Sequence, residues 1–203
     1  MTFGLLRSRA YGVIYADPPW AFRGYVTDGV PQRAADQNYP TMTMEELCAL
    51  PVGDLAKNNC ALLMWGIASH LPQAIKLGQA WGFEFKSKAF CWAKLNKRFA
   101  DQKDWSVKYA SPANSDHWFM GMGYGTRRNT EDCWLFTRGN PRRLSGGVRE
   151  LVVAPVREHS RKPSEVRERI EALYPGPYAE LFSRESAPGW ETWGNETGKF
   201  DVI

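Results

Sequence analysis

The hydrophobic pattern begins with a short apolar run, Tyr11 to Tyr15, closed by Ala16-Asp17-Pro18-Pro19-Trp20. A run of that length stopped by Asp-Pro-Pro predicts a buried strand whose end is forced into a rigid, extended turn. The polar, glycine-bearing passage from Arg23 to Gln37 reads as a mobile loop spanning about residues 21–38, since connections this long are usually functional lids or unstructured. Thr43 and Glu46 form a capping-box pattern for a short helix ending before Pro51. Cys60 to Trp65 is a second buried run. Ala68 to Trp81 carries Leu71, Ala74, Ile75 and Leu77 at helical spacing and is stopped by Gly82, and Phe83 to Trp92 reads as a third strand. Strands alternating with helices predict an α/β fold, a mostly parallel sheet with helices on its faces.

The pattern then changes. Residues 94–122 lack a clear period and read as a second mobile loop, in which Asn96-Lys97-Arg98, Lys103, Trp105, Lys108 and Tyr109 interleave basic and aromatic side chains. That is the composition of a nucleic-acid contact loop and equally of a solvated surface loop with a few tucked rings. Gly121 to Gly125 reads G-x-G-x-G, but Thr126-Arg127-Arg128-Asn129 follows where a dinucleotide fingerprint needs a helix, so that reading is rejected. Glu131 to Thr137 predicts a strand broken by Gly139-Asn140-Pro141, and Arg138, Arg142, Arg143 and Arg149 make a second basic cluster. Leu151 to Val156 is another strand candidate. A helix is expected from Pro163 to Leu173, with Pro163 in the first turn and Glu165 and Glu168 at the positive end. Tyr178 to Phe182 is the last clear strand, and Gly189 to Glu196 is an aromatic loop or strand.

At 203 residues the chain is long enough for one sizeable core, read as a single domain over residues 1–203. The net charge of +4 and the pI near 8.9 permit a nucleic-acid partner without demanding one. Cys48, Cys60, Cys91 and Cys133 lack C-x-x-C spacing, and with only three histidines no zinc ligand set emerges. Reduced thiols, no membrane-length apolar stretch and no cleavable leader make a cytoplasmic protein with no metal the expectation. A homodimer is compatible with all of this.

The candidate chemistry sits at Asp17-Pro18-Pro19-Trp20. Two prolines fix φ and remove two N–H donors, so their carbonyls stay available as acceptors. Asp17 adds a carboxylate and Trp20 a flat surface. Such a cradle suits methylation of a planar amine, whose lone pair is delocalised and whose nitrogen gains positive charge in the transition state. The plain alternative is a strand-terminating turn with an ordinary buried Trp.

Further motifs follow in order: Tyr39-x-Thr41-Met42, Leu63-Met64-Trp65, Gly139-Asn140-Pro141, Ser160-x-Lys162-Pro163, Glu180-Leu181-Phe182-x-Arg184 and Trp193-Gly194-Asn195. With Asp17 to Trp20, this series resembles the MT-A family of N6-adenine methyltransferases, which includes the catalytic subunit that writes N6-methyladenosine in messenger RNA and bacterial and phage relatives. The resemblance implies a Rossmann-like class I S-adenosylmethionine-dependent methyltransferase in permuted motif order, the catalytic turn early and the cofactor strand late. It implies that Asp17, the Pro18 carbonyl, Pro19 and Trp20 hold the target amine and its ring. It implies further that Ser160, Lys162, Phe182, Arg184, Asn195 and Glu196 line the S-adenosylmethionine site, with Asp17 facing the cofactor's amino group. Tyr39 matches a loop tyrosine near the target base, and Trp65 reads as a pocket wall or a core residue. Lys97, Arg98, Arg127 and Arg128 are the basic candidates for nucleic acid.

The chain departs from the mRNA-modifying members in two places. Glu185-Ser186-Ala187 stands where they carry His-Asn after the Arg, and Asn195-Glu196 where they end in Asn-Gln. The upstream segment that supplies adenine contacts in longer members is nearly absent. DNA is the preferred substrate on this reading. RNA is the rival, and a non-catalytic binding relative or transfer to another planar amine are the remaining alternatives.

Overall fold

The computed structural model describes residues 3–21, 26–27, 30–31, 41–99, 117–121, 123, 125–158, 161–195 and 197–201. Most of both expected mobile loops, and Tyr39, Ser160 and Glu196, lie outside these residues. The strands are β1 (Tyr11–Ala16), β2 (Val26–Thr27), β3 (Val30–Pro31), β4 (Ala56–Gly66), β5 (Glu84–Leu95), β6 (Thr130–Arg138), β7 (Leu151–Pro155), β8 (Tyr178–Leu181) and β9 (Trp190–Trp193). The helices are α1 (Met44–Cys48), α2 (Leu71–Ala80) and α3 (Glu165–Leu173). Among the described residues, seven strands form one sheet in the order β7-β5-β6-β4-β1-β8-β9, and β2 pairs with β3.

β1 is an interior strand, parallel to β4 on one side and β8 on the other. Both its faces are covered, which is why its sequence is continuously apolar rather than alternating. Ile14 and Ala16 point with Leu62, Met64 and Phe136 towards α1 and α2. Val13 and Tyr15 point with Leu63, Trp65 and Cys133 towards Val166 and Ile170 of α3. Helices therefore cover both faces, as the alternation of elements predicts. Gly78 of α2 allows its close approach to β6, since a Cβ there would meet the Phe136 ring at 2.4 Å.

Local signals set the element ends. The capping box of α1 is complete: Glu46 N–H donates to Thr43 Oγ1 at 3.2 Å and Thr43 N–H to Glu46 Oε2 at 2.8 Å. The helix expected from Ala68 begins as a 3₁₀ turn over Ala68–His70, and α2 proper starts at Leu71 with a proline in its first positions. Pro163 precedes α3 instead of opening it. β5 runs on to Leu95, and beyond it Leu95 bridges Trp118 and Gly121 bridges Arg128, so both ends of the long 96–129 connection are tied down.

Strand direction is the feature the pattern does not carry. β6 is antiparallel to both of its neighbours, β4 and β5, while the remaining pairs of the sheet are parallel. The start of β6 therefore lies at the carboxyl edge of the parallel strands and its end at the opposite edge. This changes the reading of the second basic cluster. Arg138 donates to the carbonyls of Gly53 at 2.6 Å, Trp81 at 3.0 Å and Gly82 at 3.2 Å, which makes it a clamp between the turn before β4 and the end of α2. Arg142, Arg143 and Arg149 lie beyond that edge, away from Asp17.

Candidate active site

Ligands of open α/β sheets bind beyond the carboxyl ends of the strands. Asp17 follows β1, the 67–70 turn follows β4, Lys97 and Arg98 follow β5, Phe182 to Arg184 follow β8 and Gly194-Asn195 follow β9. The reversed β6 brings Glu131 to the same edge.

The Asp-Pro-Pro-Trp turn is anchored on several sides. Asp17 N–H donates to the Leu181 carbonyl at 3.5 Å, Trp20 N–H to that of Pro18 at 2.8 Å and Met42 N–H to that of Pro19 at 2.9 Å. Each prolyl carbonyl thus uses one lone pair within the backbone and keeps one, where the sequence suggests both are available. Trp20 is 5% exposed, and its indole N–H donates to the Trp65 carbonyl at 3.2 Å and so fixes its ring against the turn. Trp65 is fully buried, its N–H donating to Tyr15 Oη at 2.5 Å. Of the two readings of Trp65, its full burial is what a core residue shows.

Asp17 heads an alternating chain of charges. Lys162 Nζ lies 2.6 Å from Asp17 Oδ2 and 3.2 Å from Glu131 Oε1, and Lys94 Nζ lies 2.5 Å from Glu131 Oε2. Lys162 Nζ also sits 5.4 Å from the centroid of the Trp65 ring, a cation–π distance. Burial raises the Asp17 carboxyl above its ordinary value, Lys162 opposes this, and Glu131 adds to the rise. Burial also works against the Glu131 charge, but Lys162 and Lys94 overcome it and lower that carboxyl to about 2. Lys162 is raised: the two carboxylates outweigh the cost of burying its ammonium. Its position is that of a tether for Asp17, with its charge already shared between two carboxylates.

Glu131 and Lys94 have no role in the sequence reading. Glu131 opens an apolar strand, and only the antiparallel direction of β6 brings it to the site. Its lowered pKa gives a sign for stability. The unfolded chain takes up this proton near the ordinary value of 4.5 and the folded chain near 2, so the stabilisation is complete above 4.5 and is lost as pH falls towards 2. Glu131→Gln is expected to lower stability at neutral pH and to flatten the acid loss across that window, read from urea midpoints at successive pH values. An unchanged acid slope would mean that Glu131 is not charge-paired in the folded state.

At the β8 and β9 ends, Phe182 adopts a left-handed φ of 62° and packs edge-on against Trp193 at 5.4 Å between centroids. Ser183 N–H donates to the Trp193 carbonyl at 3.0 Å. Gly194 makes this approach possible, since a Cβ there would lie 2.3 Å from the Ser183 carbonyl oxygen. Asn195 is exposed next to this turn, and Arg184 is close enough to Asp17 to lower its carboxyl. An amide donor and acceptor, a guanidinium and a carboxylate along one edge fit a ligand with a ribose diol, a carboxylate and an amino group. Lys97, Arg98 and Arg127 are exposed at this edge, and Arg128 donates to Ser69 Oγ at 3.0 Å.

The MT-A70 family model matches residues 11–196. The chain is 30% identical to the type II methyltransferase M.MunI of a Mycoplasma species, over 96% of this chain and 81% of that protein. It is 28% identical to the human N(6)-adenine-specific methyltransferase METTL4, over 96% of this chain and 39% of that protein. With the human N(6)-adenosine-methyltransferase catalytic subunit METTL3 it shares 27% identity, over 92% of this chain and 28% of that protein. The chain therefore spans well under half of either human relative and most of the Mycoplasma one. A family match that runs from the first residue of β1 to the turn after β9 makes the chain a member of the MT-A70 family.

Proposed function

We propose that the chain transfers a methyl group from S-adenosylmethionine to the exocyclic N6 amine of adenine in DNA. The observation that carries this reading is the carboxylate of Asp17, tethered by Lys162 at the carboxyl end of β1 between turns suited to the cofactor. When bound, S-adenosylmethionine supplies the electrophilic methyl. Arg184 would meet its carboxylate and Asn195 its ribose hydroxyls, with Ser160, Phe182 and Glu196 completing the lining.

Asp17 accepts one N6–H bond and the remaining Pro18 lone pair accepts the other, which favours a more pyramidal nitrogen as positive charge develops. Lys162 holds Asp17 in place and keeps its carboxylate ionised. Pro19 and Trp20 fix the turn, and solvent takes the released proton. A base within a duplex does not reach this turn without being flipped out. Lys97, Arg98, Arg127 and Arg128 would meet phosphates, with Tyr39 near the base.

The long match to the type II methyltransferase favours DNA, and the adenosine methyltransferases among the relatives give the RNA alternative its support. The test is transfer from labelled S-adenosylmethionine to matched DNA and RNA, followed by nucleoside mass spectrometry. N6-methyldeoxyadenosine on DNA alone is the expected result. N6-methyladenosine on RNA alone would replace it with the alternative. No product on either, with the cofactor bound, would make the chain a binding relative.

A further inference from the structure

Next to Lys162, the side chain of Arg161 leaves the loop in a different direction and enters a second cluster of charges. Its guanidinium donates to Glu158 Oε2 at 3.1 Å and to Glu185 Oε2 at 2.6 Å. The Phe200 ring lies 5.0 Å from its central carbon. Glu185 also accepts from Arg167 Nη1 of α3 at 2.7 Å. The Arg161 and Glu185 side chains are only 24% and 11% exposed, so this pair is partly dehydrated and geometrically demanding, unlike a solvated surface pair.

The segment after β9 is fastened to the same place. Phe200 N–H donates to the Arg184 carbonyl at 3.2 Å. Asp201 accepts from Ser186 N–H at 2.7 Å and from the Ser186 hydroxyl at 2.6 Å. Glu185 and Ser186 belong to the first of the two places at which this chain departs from the mRNA-modifying pattern, and both are used in these contacts.

We infer that Arg161 and Glu185 are positioning residues of the methyl-donor site. They lock the loop bearing Lys162 to the turn bearing Arg184, with Phe200 as the floor of the lock. This rests on the reading of that edge as the cofactor site. The two cations reach the site from separate parts of the chain, one between β7 and α3 and the other after β8. Their spacing is set by whatever joins those parts, and the Arg161–Glu185 pair joins them directly. By reciprocity, a donor that spans both segments tightens the lock as much as the lock favours the donor.

The test is titration calorimetry of the full chain with S-adenosylmethionine, for wild type, Arg161→Ala, Arg161→Lys and Phe200→Ala. Amide exchange is followed with and without the donor. Arg161→Ala is expected to weaken donor binding about ten- to a hundredfold, the scale of a misplacement of about 1 Å. Arg161→Lys, which keeps the charge but loses the planar fork, falls between it and wild type. Phe200→Ala, which removes only the ring beneath the guanidinium, weakens binding about two- to fivefold. In wild type the donor slows exchange at the Phe200 amide, and in Arg161→Ala it does not.

Wild-type affinity in Arg161→Ala overturns the inference, as does donor-independent exchange at Phe200. A merely structural role would lower the unfolding temperature while leaving the donor-induced rise in it unchanged, and that result also overturns it. If Arg161→Ala does not fold, Phe200→Ala decides by the same criterion. A wild-type chain that binds no donor at all refutes the cofactor reading itself, a different result from a donor that binds all variants alike.

Discussion

Asp17→Asn is expected to lower kcat for methyl transfer about 10²- to 10³-fold, the scale of losing one preorganised electrostatic contact at a reacting centre. The substitution keeps the shape and one acceptor oxygen. It removes the charge that answers the developing positive nitrogen, and it can turn an amide NH₂ towards an amine that needs an acceptor. Lys162 is then left with Glu131 as its anionic partner. Because burial raises the Asp17 carboxyl, wild-type activity should fall on acidification at a pH above the ordinary aspartate value of 3.8. The group must be ionised to accept, so the acid limb marks its protonation, and the variant should lack that limb. Donor affinity measured in parallel separates a lost contact to the amine from a lost contact to the cofactor. Activity within about threefold of wild type, well short of a tenfold or 1.4 kcal/mol effect, would remove Asp17 from the reaction.

Arg167→Ala should be the most damaging change to stability, at about 3–5 kcal/mol. Arg167 of α3 holds Glu180 of β8 with two parallel bonds, at 2.7 and 3.0 Å, and Glu185 with a third at 2.7 Å. All three side chains are 14% exposed or less. Removing the guanidinium leaves two dehydrated carboxylates without their shared cation. Burial already raises the Glu180 carboxyl, and Arg167 is what holds it down. In the variant that carboxyl rises further, so the folded form binds a proton the unfolded form does not. The stability deficit should therefore shrink as pH falls from neutral towards the ordinary glutamate value of 4.5, a trend urea unfolding followed by Trp fluorescence would show. A loss below about 1 kcal/mol would mean that the triad is solvated like a surface pair.

What the sequence carried was local. β1, the capped α1, the glycine-stopped α2 and the strand ending at Leu181 follow from periodicity and caps, which need only near neighbours. The Asp-Pro-Pro-Trp turn was visible for the same reason. The direction of β6 was not, because an alternating strand reads alike in either direction, and with it went Glu131, Lys94 and the placement of Arg138. The burial of Trp65 and Trp20 was equally out of reach. An aromatic next to a motif has one sequence signature whether it faces a ligand or the core, and only burial separates the two. Lys162 was expected near the cofactor through the resemblance alone, and its ties to Asp17 and Glu131 span three strands and a loop, so no spacing rule could give them.

The reversed strand has a consequence for engineering. Because β5 and β6 are antiparallel neighbours, the chain between Leu95 and Thr130 leaves and re-enters at one edge and owes the sheet no crossover of fixed length. That stretch is a natural port for transplants. Segments of other lengths can be spliced there, at the edge where Asp17 stands, and exchanged between homologues to retarget the methyltransferase without redesigning the two buried layers of its sheet.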